Sequence, residues 1–178
     1  MFTVEDGTGL AGANSYIDLT FADTYHEDRQ NLSWSAATQA IRQGALIRAS
    51  EYVDKRFGLR FKGFKSSSTQ GLEWPRIGAL DGDDYLLNGV DDVPRQLQKA
   101  VAEYGLRALT LSELAPDNTD VGVNATETKI GPIVIKNELR NFAATGTVSP
   151  SSIPDYPEAD LWIQELLTSL RNNKVVRG

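Results

Sequence analysis

Apolar residues recur at helical spacing in four stretches of the chain and alternate in one. Phe21, Ala22 and Tyr25 fall on one face of a helix that Asp18 or Thr20 can cap and that runs to about residue 29. A longer helix is expected over residues 35–57, with Ser33 or Ser35 as cap around Trp34 and with Ala37, Ile41, Ala45, Ala49, Tyr52, Val53 and Phe57 in line. Gly58 ends it. Its apolar face is mostly alanine, which permits close approach of a second helix, and the next periodic stretch supplies one. There Asp91 or Asp92 caps, Pro94 sits in the first turn where a missing N–H costs nothing, and Leu97, Ala100, Val101, Tyr104, Ala108 and Leu111 mark one face.

Beyond Pro116 the period changes. Residues 126–130 and 133–139 alternate on either side of Gly131-Pro132 and predict a two-stranded hairpin, which is marginal in water without a neighbour. A linker rich in Ala, Thr, Ser and Pro follows, then a last helix from about Pro157 with Leu161, Trp162, Leu166, Leu167 and Leu170 spread over half of its surface. The expected fold is therefore mostly α, a small helical bundle with a short β-hairpin and a C-terminal helical arm. Three parts are expected: a helical core over residues 1–116, the hairpin element over 117–142, and a linker with a docking helix and tail over 143–178.

Composition narrows the function classes. A chain of 178 residues with 40% hydrophobic and 24% charged positions fits one domain with a sizeable core. No apolar run approaches the ~20 residues needed to cross a bilayer, and residues 1–6 lack a signal-peptide pattern, so a cytoplasmic setting is expected. With no cysteine and one histidine, His26, neither disulfides nor a structural zinc site is expected. Eighteen basic against twenty-four acidic residues give a net charge of -6, which argues against a general DNA-coating role and leaves room for local basic patches.

Most motif-like stretches dissolve on inspection. Gly7-Thr8-Gly9-Leu10-Ala11-Gly12 matches G-x-G-x-x-G, but no adequate strand precedes it and no helix opens inside it, so a loop between two short extended pieces is expected instead of a dinucleotide site. Asp81-Gly82-Asp83-Asp84 fails calcium-loop spacing because Tyr85 takes the fifth position and no bidentate Glu follows. His26, beside Glu27 and Asp28, reads as a surface helix residue. There is no nucleophile elbow, no P-loop and no metal-ligand cluster, so no enzyme activity and no cofactor are expected.

Two stretches carry more information. In Gln70-Gly71-Leu72-Glu73-Trp74-Pro75-Arg76-Ile77-Gly78, Pro75 fixes its own φ and biases Trp74 toward an extended backbone, so the indole's direction is set locally. Leu72, Trp74, Pro75 and Arg76 can serve as an oligomer-facing docking loop or, as loop tryptophans more often do, plug their own core. The second stretch is the most basic one, in which Arg56, Phe57, Arg60, Phe61, Lys62, Phe64 and Lys65 interleave cations with aromatic rings. Either it is an amphipathic segment with its phenylalanines in the core and its lysines wet, or it is a stacking platform for single-stranded nucleic acid.

Taken in order, Asp6-Gly7-Thr8-Gly9, Ala13-Asn14-Ser15-Tyr16-Ile17, Ala22-Asp23-Thr24-Tyr25, Trp34, the helix through residues 45–54, Phe61-Lys62-Gly63, the Leu72-x-Trp74-Pro75-Arg76 element, Val93-Pro94 and Ala102-Glu103 resemble the head-to-tail adaptor (connector, or head-completion) proteins of tailed bacteriophages. The resemblance covers about residues 5–112. It implies a structural virion protein of the neck, assembled in the host cytoplasm as a ring, usually dodecameric, beneath the portal. Its implied partners are further copies of the chain, the portal, a tail or tail-completion protein, and genomic DNA that passes through the lumen without specific binding; no membrane is involved. In that setting Trp162, Leu166, Leu167, Leu170, Arg171, Lys174, Val175, Val176 and Arg177 would dock on the portal. An acidic chain suits a channel through which DNA must slide, and a closing ring would support the hairpin. Related sequences are also labelled DnaT-like, which implies the alternative of a single-stranded DNA-binding module using the seven residues of the basic stretch.

Overall fold

The computed structural model describes residues 1–87, 92–111, 113–115, 125–130, 133–138 and 154–168. The fold is mostly α, with a six-residue-stranded antiparallel hairpin and a C-terminal helix, as the periodicity predicts. Two compact units are present, residues 1–114 with 155–178, and residues 115–154. In the second unit β3 (Ala125–Ile130) pairs antiparallel with β4 (Ile133–Glu138), from Ala125 opposite Glu138 to Ile130 opposite Ile133.

In the first unit α1 (Leu19–Glu27) starts where the sequence places its cap, with the Asp18 carboxylate accepting from the Phe21 N–H at 2.7 Å. The single helix expected over 35–57 is two, α2 (Leu32–Ala36) and α3 (Gln39–Phe57). Ala37 is extended (φ -81°, ψ 149°), and the Thr38 hydroxyl accepts from the Ile41 N–H at 3.4 Å to cap α3. The break frees Trp34 from the stripe of α3. It turns into the core, its indole N–H donating to Asp23 at 2.7 Å, while Ile41 is left exposed.

The main packing is α3 against α4 (Arg95–Thr110). Ala45, Leu46, Ala49 and Val53 of α3 and Leu97, Ala100, Val101, Tyr104 and Ala108 of α4 are all buried. The small residues bring the helices close: a Cβ added to Gly105 would lie 3.0 Å from the Leu46 Cδ2. Each large aliphatic side chain so buried contributes about 1.5–3 kcal/mol.

The last helix, α5 (Pro157–Gln164), packs on α4. Ala159, Ile163 and Leu166 are fully buried, and Tyr52, Tyr104 and Tyr156 meet with ring centroids 5.2–6.1 Å apart. The Tyr104 hydroxyl donates to Asp160, and the Tyr156 hydroxyl donates to the Leu114 carbonyl at 2.7 Å.

Two further readings meet their physical cause here. The glycine-rich loop is filled from inside: the buried Glu5 carboxylate accepts from the N–H groups of Gly7, Gly9 and Leu10 at 2.8–3.0 Å, taking the donors a pyrophosphate would need. His26 is not a surface residue. It is 1% exposed, its ring lies 4.4 Å from that of Trp34, and its Nδ1 is 3.0 Å from the Asn31 amide nitrogen.

Candidate nucleic-acid interface

The Gln70–Arg76 loop and the basic stretch form one construction. Gln70 is buried, its Nε2 donating to the carbonyls of Leu72 (2.8 Å) and Pro75 (3.2 Å) while its Oε1 accepts from Ser66 Oγ and Ser67 N. Trp74, joined to Pro75 by a cis peptide, is fully buried with Phe61 edge-on at 5.7 Å. From the other side the Tyr16 hydroxyl donates to Asp54 and accepts from the N–H groups of Glu73 (3.0 Å) and Trp74 (3.2 Å). Burial pushes the Asp54 carboxyl up to about 7, and burial with the adjacent Asp54 holds the Tyr16 phenol well above its usual range.

Arg76 then sets the neighbouring backbone. Its Nε donates to the Lys62 carbonyl at 2.8 Å, one terminal nitrogen to the Gly63 carbonyl at 2.9 Å, and the other to Glu73 at 3.1 Å. Gly63 has φ +71°, and a Cβ there would meet the Ile77 carbonyl oxygen at 2.4 Å, so only glycine allows the chain to fold back. The result is a short antiparallel pair, β1 (Phe64–Lys65) with β2 (Arg76–Ile77). Phe64 and Ile77 are opposite each other and stand in solvent, 80% and 62% exposed.

The seven residues of the basic stretch thus separate. Phe57 and Phe61 are buried. The Arg56 guanidinium is engaged by the Tyr52 hydroxyl (2.6 Å), Asp160 (3.2 Å) and Asp155 (3.4 Å). Lys65 pairs with Glu73 at 3.1 Å, and the Lys62 ammonium donates to the Leu80 carbonyl at 2.9 Å. Arg60, Phe64 and Lys65 remain exposed, with Lys62 partly so. A further ring joins them that the sequence did not single out. Asp81 accepts from the N–H groups of Asp83 and Tyr85, closing a tight loop that leaves Tyr85 72% exposed, and Lys62 ties this loop to the β1–β2 pair. The acid therefore shapes the turn.

A family profile described as "Putative DnaT-like ssDNA binding protein" matches residues 1–178. The chain belongs to that family. Comparison with curated proteins and with solved structures gave no match.

Membership in the DnaT-like family corrects the phage-adaptor expectation. The neck localisation rested on that resemblance alone. The virion connector role, the dodecameric ring, the portal and tail partners, and passage of DNA without specific binding are replaced by a family described as binding single-stranded DNA. The physical reason is visible in the element that carried the resemblance. Leu72, Trp74, Pro75 and Arg76 are all buried in their own unit, and Arg76 clamps the Lys62 and Gly63 carbonyls, so the motif reports how the loop folds.

The residues assigned to portal docking divide similarly. Leu166 and Leu167 are buried, the Leu166 carbonyl accepting from the Lys62 N–H at 3.0 Å and Leu167 bridging to Phe61. Trp162 is half-buried beneath the Lys99 ammonium, 4.2 Å from the ring centroid. Leu170, Arg171, Lys174, Val175, Val176 and Arg177 lie outside the described residues.

Proposed function

We propose that the protein binds single-stranded DNA through the surface around β1–β2, with no chemical step of its own. Phe64 offers a ring face to a base, Tyr85 on the tied loop offers a second, and Arg60 and Lys62, which have no carboxylate partner among the described residues, are the cations for phosphates of the stacked strand. The observation that carries this reading is the exposure of Phe64. Of the three phenylalanines in the basic stretch, two are packed into the core and the third is held bare by a backbone fixed through Arg76 and Gly63. Base–aromatic stacking contributes about 1–3 kcal/mol per base and tolerates any sequence. Family membership supports the same ligand. With a net charge of -6 the chain repels polyanions at long range, so binding is confined to local cations and weakens steeply with salt.

Fluorescence titration of oligo-dT at two salt concentrations tests this. Phe64→Ala is expected to weaken binding about 5- to 150-fold, the equivalent of ~1–3 kcal/mol, and Phe64→Trp to restore it. Absence of binding at low salt, or an unaltered Phe64→Ala protein, overturns the proposal.

A further inference from the structure

A second cationic surface lies on the first unit, built from residues far apart in the chain. A groove of about 390 Å³ between α1 and α4 is lined by Phe21, Tyr25, Arg29, Arg95 and Lys99, with the hydroxyls of Thr20 and Thr24 at its edge. Each cation is held by an aromatic ring. Arg29 lies 3.6 Å from the centroid of Tyr25, Arg95 5.5 Å from that of Phe21, and Lys99 4.2 Å from that of Trp162.

The chemistry of these supports differs from that of five other cations. Arg42, Arg56, Lys65, Arg76 and Arg107 are each paired with a carboxylate. Among the described residues Arg29, Arg95 and Lys99 form no ion pair. A carboxylate fixes a cation and cancels its charge, whereas a ring face fixes it and leaves the charge standing. Asp28 is the one acid lining the groove, against three cations. On a chain of net charge -6 this is a positive site.

We propose that the α1–α4 groove takes the sugar–phosphate backbone of a single DNA strand. Arg95 and Lys99 are one turn apart on α4, about 5–6 Å between Cβ atoms, a spacing comparable with that of successive phosphates along an extended strand. Arg29, in the turn that follows α1, lines the same groove, and the threonine hydroxyls can donate to phosphate oxygens. Rings already covered by cations are not free for bases, so the groove reads backbone alone. The identity of the occupant rests on the single-strand reading above, while the groove itself does not depend on Phe64.

The test uses the full chain, an oligo-dT strand and an abasic deoxyribose-phosphate strand of the same length. The abasic strand is expected to bind the wild type, and the double variant Arg95→Ala/Lys99→Ala to make the log–log salt slope shallower by about 1.4, at roughly 0.7 per lost phosphate contact. Arg95→Lys/Lys99→Arg keeps both charges and should keep the slope; an unchanged thermal midpoint shows that each variant is folded. Phe64→Ala should leave the abasic strand's binding unaltered. If the abasic strand does not bind, or binds wild type and Arg95→Ala/Lys99→Ala with the same slope, the groove proposal is overturned even where oligo-dT still requires Phe64. Loss in the double variant with an unaltered Phe64→Ala protein leaves the groove standing and removes the β1–β2 platform instead.

Discussion

The segment from Lys55 to Lys65 and the α1–α4 groove are two basic–aromatic regions among the described residues, and they are opposites. The first is conspicuous in sequence, yet the fold removes two of its three phenylalanines to the core and gives Lys55, Arg56 and Lys65 carboxylate partners. The second has no sequence signature at all, since its cations stand at positions 29, 95 and 99, yet it keeps them free of carboxylates. Adjacency along the chain concentrates charge on paper. What makes charge available to a ligand is the partner that tertiary structure puts beside it.

The largest expected effect separates the phenylalanines of the first region. Phe61→Ala opens a cavity against Trp74 and is expected to cost about 3–5 kcal/mol in denaturant unfolding, so its effect on DNA binding follows from lost structure. Phe64→Ala should change stability by no more than ~0.5 kcal/mol, because the ring touches mainly solvent, and should act on binding alone. Equal destabilisation by the two would mean that Phe64 is part of the core. Next in size is Arg76→Lys, which keeps the charge but loses the planar fork that spans the Lys62 and Gly63 carbonyls. A loss of about 1–3 kcal/mol is expected, with oligo-dT binding weakened further because the β1–β2 turn loosens. A variant as stable as wild type would show that Gly63 alone sets the turn.

Sequence periodicity delivered the elements whose causes are local. The Asp18 cap, the alanine face of α3 against α4 and the β3–β4 hairpin follow from residues within one turn or one strand pair. What escaped depends on partners distant in the chain. The interruption at Ala37 is set by where Trp34 finds Asp23 and His26, the burial of His26 by α2 closing over it, and the role of Arg76 by carbonyls thirteen and fourteen residues earlier. At the site, the basic stretch was legible as a candidate but not its division, since alternation of Phe and Lys does not say which phenylalanine faces inward. The groove was not legible, because no spacing rule links residues 29, 95, 99 and 162. A cation with no acid three or four places away on its helix is a weak hint, and Lys99, whose i+4 neighbour is Glu103, lacks even that.

The two regions also differ in the titratable group beneath each, and this yields the smallest of the expected effects. Asp54 anchors the Trp74 loop, facing Tyr16, Glu73 and Lys65, and burial raises its carboxyl to about 7 from an unfolded value near 3.8. Its protonated form is the one that the fold favours, so its contribution is full below about pH 4 and is lost as pH rises through 7. His26 is on the buried face of α1, within the fields of Glu103, Arg29 and Asp23, and burial lowers it to about 4 from 6.5. Its neutral form is favoured, so that contribution is full above pH 6.5 and is lost as pH falls through 4. Between pH 4 and 6.5 the two trends oppose, and wild-type stability should be nearly flat. Asp54→Asn, which keeps an acceptor for the Glu73 N–H, leaves the histidine alone and should make stability fall with acid. His26→Gln should do the reverse, gaining stability as pH drops from 7 toward 4. Urea midpoints at pH 4, 5.5 and 7.5 read both signs; if the two variants tilt the same way, the two regions do not rest on oppositely strained groups.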